Sequence, residues 1–501
     1  MTKYTFVALA LLTIFLASCA PKSGDGAKSP AIEVKTIPVA GADQQQQDTA
    51  AIQKLADDFR TAYNGKDAPA VFALFGPEMQ TALPLSSTTA MLVSLHMQFG
   101  TIKEMKFQGM LERGTALYLV DFDNAKLNMN MTLGKDGKMS GLWLAPALVP
   151  PDLTAYDPVI AESADLEAAV TDLAELYLAS PSYVGLEIGV YWKGVEYEWG
   201  FGQVSMYDDK PPTPDTLFEV GSISKVFTCL LVERAVREGK LKLTEDISRF
   251  LPAITLADPR VAKITILDLV THTSGLPTTP TNLAATVKNP QDPFANYTED
   301  DLYEFLGSFV LPRDPGTEYE YSNTGMTMAG LFASYALGGE YGKLLQEMVL
   351  VPMGLADTTL APAKEQQKRM AQGFSLGKQP IPSWNLGIYN PAGGVKSTVR
   401  DLLSFARYNM GDKKGDLYAD MKECHRPRYR ISDKLEIALG WHIFDDQSGS
   451  EPIVWHNGRT GAFCAFLGFL PSSDAAVVIL CNTPATVDQG GGKLLKALGG
   501  K

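Results

Sequence analysis

Strand signals in this chain sit at the two ends of a long helical stretch, and that arrangement restricts the fold more than any other feature. Residues 183–192 and 195–204 read as strands joined by Lys193-Gly194, a two-residue link of the kind that closes a hairpin. Strand-like runs return only at 439–444, 453–456, 462–470 and 475–480. Between them, from about 221 to 410, apolar residues recur mostly at helical spacing, interrupted by Gly- and Pro-rich loops at 274–280 and 374–382. Strands must lie side by side to satisfy their backbones. Strands at both ends with helices between them fit an α/β unit whose sheet unites the two ends around the helical stretch as an insertion. No internal repeat is apparent.

Upstream, the chain changes character three times. Lys3 precedes an apolar run at 4–17, shorter than the roughly twenty residues a membrane-spanning helix needs. Its end, Leu16-Ala17-Ser18-Cys19, resembles a bacterial lipobox. Residues 1–18 are thus expected to be a lipoprotein signal peptide, with Cys19 lipidated and the protein anchored in the cell envelope. Residues 19–48, with Pro21, Pro30, Pro38 and four consecutive glutamines at 44–47, have too little apolar surface to fold and are expected to be a tether. A first folded unit is expected over 49–148. Ile52, Leu55, Ala56, Phe59 and Tyr63 make one face of a helix that Gly65 stops. A second short helix is expected over 69–75, followed by strands at 101–111 and 116–122 and a hairpin over 127–144 turned at Gly134-Lys135-Asp136-Gly137. Two helices followed by a twisted sheet resemble the small NTF2-like domains. His96 is the one histidine of this unit and reads as structural. Pro150-Pro151 marks the boundary of a second unit, 152–501, which opens with a helix over 164–178.

Composition excludes several functions. Lys plus Arg is 44 against 57 for Asp plus Glu, a net charge of -13, and no run of basic residues offers a local footprint for nucleic acid. Five cysteines in 501 residues contain no C-x-x-C, and no H-E-x-x-H occurs, so neither a metal nor another cofactor is expected. Cys464 and Cys481 lie symmetrically about a turn at 471–474. They therefore face each other across a hairpin, as a cross-strand disulfide or as two buried thiols.

Three clusters carry chemistry. In Gly221-Ser222-Ile223-Ser224-Lys225, the following apolar positions (Val226, Phe227, Leu230, Leu231) make a buried helix, so Ser222 and Lys225 share a face at its start. Burial and the positive helix end disfavour an ammonium there, and a neutral Lys225 can take the Ser222 proton. Ser222 can equally be a helix cap. A second S-x-x-K, Ser375 to Lys378, lies in a Gly- and Pro-rich loop with no helix to hold it together and reads as structural. Tyr321-Ser322-Asn323 contains the only Tyr-x-Asn of the chain. A tyrosinate at 321 near Lys225 can shuttle a proton, and Asn323 can hydrogen-bond the lysine and a substrate carbonyl. His456-Asn457-Gly458-Arg459 ends a strand. His456 there can bind a substrate carboxylate or polarise Tyr321, Gly458 can let a substrate backbone lie close, and the Arg459 N–H can form an oxyanion hole with that of Ser222.

Together and in this order, the three clusters resemble the serine β-lactamase and penicillin-binding-protein family, on its class C and DD-peptidase branch. So do Thr271-His272-Thr273-Ser274-Gly275-Leu276-Pro277, Pro352-Met353-Gly354-Leu355 and Ala392-Gly393-Gly394 with Ser397-Thr398. The resemblance covers about 160–500. It implies an antiparallel sheet flanked by helices plus a helical subdomain, with Ser222 as acylated nucleophile, Lys225 as its base and Tyr321 as general acid/base. His456-Asn457-Gly458 would occupy the place of the family's Lys-Thr-Gly. Histidine there is mostly neutral near pH 7, which weakens the case for efficient β-lactam hydrolysis and leaves acylation intact. In the resemblance, His272 and Ser274 belong to a structural loop. The expected activity is hydrolysis of an acyl substrate, a D-alanyl or D-amino-acid peptide, an ester or a β-lactam. The alternative is a penicillin-binding or sensing protein that has lost turnover and uses the N-terminal unit to bind a ligand or partner.

Overall fold

The computed structural model describes residues 42–111, 114–411 and 416–499; the signal segment and Cys19 lie outside the described residues. The chain divides into two compact units after Ala147.

The first unit has helices α1 (Ala42–Asn64), α2 (Ala68–Leu74), α3 (Pro77–Ala82) and α4 (Leu85–Phe99), then strands β1 (Ile102–Leu111), β2 (Thr115–Phe122), β3 (Lys126–Leu133) and β4 (Met139–Pro146). The strands form an antiparallel sheet in sequence order. Ile52, Phe59 and Tyr63 of α1 are buried with Val120, Met129 and Met131 of the sheet. Four helices precede the sheet, not two. Helix α4 escapes a sequence reading because Ser86-Ser87-Thr88-Thr89 are weak helix formers. Burial of Thr88 and Leu92 holds it in place. His96 bonds the Tyr63 carbonyl through Nε2 at 2.7 Å and stacks on the Tyr63 ring, a packing role.

The second unit is organised by an eight-stranded antiparallel sheet, in the order β11-β12-β13-β14-β15-β16-β5-β6. Its strands are β5 (Gly185–Trp192), β6 (Val195–Gly202), β11 (Tyr429–Ser432), β12 (Leu435–Ile437), β13 (His442–Phe444), β14 (Ile453–Arg459), β15 (Cys464–Leu470) and β16 (Ala475–Cys481). Strand β16 pairs with β5 from Ala475↔Trp192 to Cys481↔Leu186, so the late strands and the early hairpin do meet. Lys193 and Gly194 both take positive φ in the β5–β6 turn. Strands β5, β15 and β16 are buried along their whole length because both faces are covered. On one face lie helices α5 (Ser163–Ala179) and Asp488–Leu498, with Leu173, Val190 and Phe466 in a shared core. On the other lies the helical insertion, led by α6 (Ser224–Arg237) and the helices Asn323–Leu337 and Val399–Met410. Strands β11, at the sheet edge, and β12 beside it were not expected from sequence; they are short and partly exposed, so no clear apolar alternation marks them. Cys464 and Cys481 are direct partners on β15 and β16, as their symmetry requires, and both are buried free thiols. Among the described residues no helix is long and apolar enough to cross a membrane.

Candidate active site

Two short strands feed the nucleophile turn. β7 (Phe218–Glu219) pairs with β10 (Lys396–Ser397), and Gly221, at φ +50, then turns the chain into a single 3₁₀ turn, Gly221–Ile223, directly before α6. Ser222 is therefore in that turn, half-buried, and not on the helix itself. Ser224 pins the turn: its Oγ donates to Gly221 O at 2.7 Å and accepts from Val395 N at 2.9 Å. Lys225, one residue into α6, is completely buried. Its Nζ lies 2.8 Å from Ser222 Oγ and donates to the Ala392 carbonyl at 2.7 Å. Burial pushes this amine well below its ordinary value, which favours the neutral form, the one able to take the Ser222 proton. Ala392 enters through a backbone carbonyl, a contribution that residue type does not signal.

Tyr321 closes the other side. Its hydroxyl interacts with Ser222, and Lys225 Nζ is 4.9 Å from the centre of its ring. Burial pushes the phenol well above its ordinary value, which corrects the expected tyrosinate: the free site holds a phenol beside an amine. That pair carries the same number of protons as a tyrosinate beside an ammonium, without separated charge in a dry place. Asn323 starts the helix Asn323–Leu337, whose cap is Ser322, with its Oγ accepting from Gly325 N at 2.8 Å. The expected Asn323–Lys225 bond is not formed. Ala392 takes that place, and Asn323 Oδ1 is buried without a protein partner.

Strand β14 runs along the nucleophile turn. A Cβ on Gly458 would overlap Val220 O and lie 2.9 Å from Ser222 N; one on Gly221 would lie 2.5 Å from Arg459 N. The two glycines let turn and strand approach until the N–H groups of Ser222 and Arg459 are neighbours. Gly458 is thus required by the turn, where the sequence reading had it accommodate substrate. Along β14, β13 pairs only with Ile453–Trp455, which leaves the edge of 456–459 outside that ladder.

His456 is fully buried, and its Nδ1 donates to Asn457 O at 2.5 Å, which leaves Nε2 as an acceptor without a partner. Burial, with His442 and Lys225 nearby, lowers its pKa well below the ordinary value. A neutral, buried ring is no cation for a substrate carboxylate, and that expectation is withdrawn. Asn457 donates to Asp488 Oδ2 at 2.6 Å and so offers no side chain to the site; Arg459 is exposed and adjoins the site through its backbone. His442 and Tyr319, neither singled out from sequence, stand behind these groups, with Tyr319 OH 3.1 Å from His442 Nε2 and the His442 ring 5.3 Å from that of His456.

The second S-x-x-K is a hairpin. β8 (Gly373–Phe374) and β9 (Pro380–Ile381) flank it, Ser375 N donates to Gln379 O, and Lys378 is exposed at φ +56. Gly373-Phe374-Ser375-Leu376-Gly377 also spells the G-x-S-x-G of a nucleophile elbow. No helix follows the serine to make it one.

With the geometry in hand, comparison with known proteins is decisive. Residues 169–500 match the family model described as Beta-lactamase. The chain belongs to the beta-lactamase family. It is a serine hydrolase of that family, with its antiparallel sheet and flanking helices. A Beta-lactamase of Pseudomonas fluorescens is 27% identical over 350 residues, 64% of this chain and 94% of that protein. The D-alanyl-D-alanine-carboxypeptidase/endopeptidase AmpH of Escherichia coli (strain K12) is 23% identical over 303 residues, 57% of this chain and 76% of that one. In fold, a class C beta lactamase aligns with TM-score 0.59 at 24% identity, covering 67% of this chain and 98% of the other. The D-alanine carboxypeptidase AmpC of Burkholderia cenocepacia aligns with TM-score 0.58 at 23% identity, covering 67% and 99%.

Proposed function

We propose that this family member hydrolyses amide or ester bonds through an acyl-enzyme on Ser222. The observation that carries the reading is the Lys225 amine, fully buried and with its pKa pushed down by that burial, 2.8 Å from Ser222 Oγ. Its lone pair takes the hydroxyl proton as Oγ attacks the carbonyl, and the charge developing on the carbonyl oxygen meets the N–H groups of Ser222 and Arg459. The Tyr321 phenol protonates the departing nitrogen or oxygen and is reprotonated by the Lys225 ammonium. Water then attacks the acyl-enzyme with the same groups in reverse. The edge at 456–459, left unpaired by β13, offers backbone groups to an extended acyl chain. Candidate substrates are D-alanyl or D-amino-acid peptides, esters and β-lactams. A neutral His456 favours substrates that need no cation at that position, and so peptides and esters over β-lactams.

The test is intact mass of residues 20–501 after a fluorophosphonate probe, beside Ser222→Ala, followed by a panel of D-alanyl peptides, alkyl esters and β-lactams. One adduct on the native chain alone is expected; an equal adduct on Ser222→Ala would reject Ser222 as nucleophile. For the remainder of the chain we infer export and lipidation at Cys19, with 49–148 an NTF2-like accessory unit. Palmitate incorporation lost in Cys19→Ser checks the first, and unchanged turnover after deleting 49–148 the second.

A further inference from the structure

One residue grips Tyr321 at three points. His272 lies in the loop between the short helix Ile266–Val270 and Pro277, fully buried. Its carbonyl accepts from Glu320 N at 2.7 Å and its ring Nδ1 accepts from Ser322 N at 3.2 Å, so both backbone neighbours of Tyr321 are held by a single side chain and its own peptide. The ring itself lies against the Tyr321 ring, centroids 4.5 Å apart and inclined by 38°. His272 makes these contacts at φ +58, a conformation costly for any residue with a Cβ and kept in folded proteins where the surroundings demand it. An Nδ1 that accepts from a backbone N–H must be unprotonated, which the buried, neutral state of this ring supplies. Behind it, the Tyr319 ring meets His272 edge-on at 5.9 Å, and the Tyr319 hydroxyl in turn bonds His442.

We propose that His272 is a positioning residue of the reaction: it sets the backbone and the ring plane of Tyr321 so that the phenol stays on Ser222. The inference rests on the role given to Tyr321 above. It differs from a packing role in one measurable way, because its effect must travel through the Tyr321 hydroxyl.

A double-mutant cycle on the full chain tests this. His272→Asn keeps an acceptor where Nδ1 stood and tolerates the left-handed backbone, so it isolates loss of the ring. His272→Phe keeps a ring and loses the acceptor. Acylation kcat/KM is read on the panel substrate turned over fastest among those whose leaving group needs a proton, with thermal melting as a check on folding. Each variant is expected to lose about 10- to 100-fold in kcat/KM through kcat, as for a misplaced catalytic group. In a Tyr321→Phe background the same substitutions are expected to change the rate by no more than about twofold. Equal losses in both backgrounds, or a native rate in both His272 variants, overturn the proposal. A native rate in Tyr321→Phe alone instead removes the role of Tyr321 and the inference with it, an outcome the cycle separates from the others.

Discussion

The chain contains the same four-residue spacing twice, and only one copy forms an active constellation. In Ser222-Ile223-Ser224-Lys225 a 3₁₀ turn runs into α6, the lysine is buried beneath it, and Nζ meets the serine at 2.8 Å. In Ser375-Leu376-Gly377-Lys378 the serine and the lysine sit in a hairpin, with the lysine exposed to water. Spacing is common to both. What differs is the dryness of the amine, set by the apolar run after Lys225 that packs α6 into one core with the helix Asn323–Leu337. The exposed Lys378 has no such dry surroundings. Burial, then, turns a sequence pattern into a base.

The sharpest way to break this comparison is to alanine-substitute both serines. Ser222→Ala is expected to abolish the fluorophosphonate adduct and lower turnover by at least about 10⁴-fold, while Ser375→Ala leaves both unchanged. Any large loss in Ser375→Ala would show that the hairpin copy takes part. Next in size are the lysines. Lys225→Met is expected to cost about 10³-fold in kcat/KM, within the usual range for a proton-transfer group, and Lys378→Met nothing. Lys225 also links stability to pH. Lys225 has a folded pKa depressed from its unfolded value, so its stability contribution is present above the unfolded pKa and is lost as pH falls towards the folded one. Relative to native, Lys225→Met should thus gain stability as pH falls from about 10. Urea melts across pH decide this; a pH-independent difference would mean that Lys225 is charged in the fold.

The legible part of the site was the part written in side chains of distinctive type. Ser222, Lys225 and Tyr321 come together as their motifs implied, and the meeting of early and late strands followed from the placement of strand signals alone. Groups acting through backbone or through long-range packing were hidden: the Ala392 carbonyl on Lys225, the His442 and Tyr319 pair, and helix α4 with its run of hydroxyl residues. Asn323 and Asn457 misled because an amide can bond in several directions, and the local sequence does not say which. Gly458 misled in a more useful way, since the space it leaves is filled by the nucleophile turn. Gly458→Ala should accordingly cost about 3 kcal/mol of stability by overpacking, and move Ser222 with it. Gly194→Ala, where a Cβ meets nothing within 4 Å, provides the contrast: strain at its positive φ without any clash, and about 1 kcal/mol with unchanged turnover. Equal stability losses from the two would mean that the close approach of β14 to the turn is not what Gly458 is for.

Burial alone is not function, and Glu187 sharpens that side of the comparison. It lies on β5, fully buried, with both carboxyl oxygens lacking a protein hydrogen bond. It pairs across the ladder with Gly200, whose added Cβ would sit 2.8 Å from Glu187 Oε2. Burial and the like charge of Glu198 push its pKa up to about 8, with Arg400 acting in the opposite direction. Arg400 itself is shared with Asp215 and Glu198. The folded value exceeds the unfolded one, so the protonated acid's contribution is fully present below about 4.5 and is lost as pH rises to about 8. The native chain should therefore lose stability relative to Glu187→Gln at up to about 1.4 kcal/mol per pH unit across that window, with the activity of the two chains indistinguishable. Lys225 and Glu187 are both dry titratable groups, yet only the lysine has a nucleophile within reach. A change in turnover on Glu187→Gln without a change in the pH slope of stability would reverse that assignment.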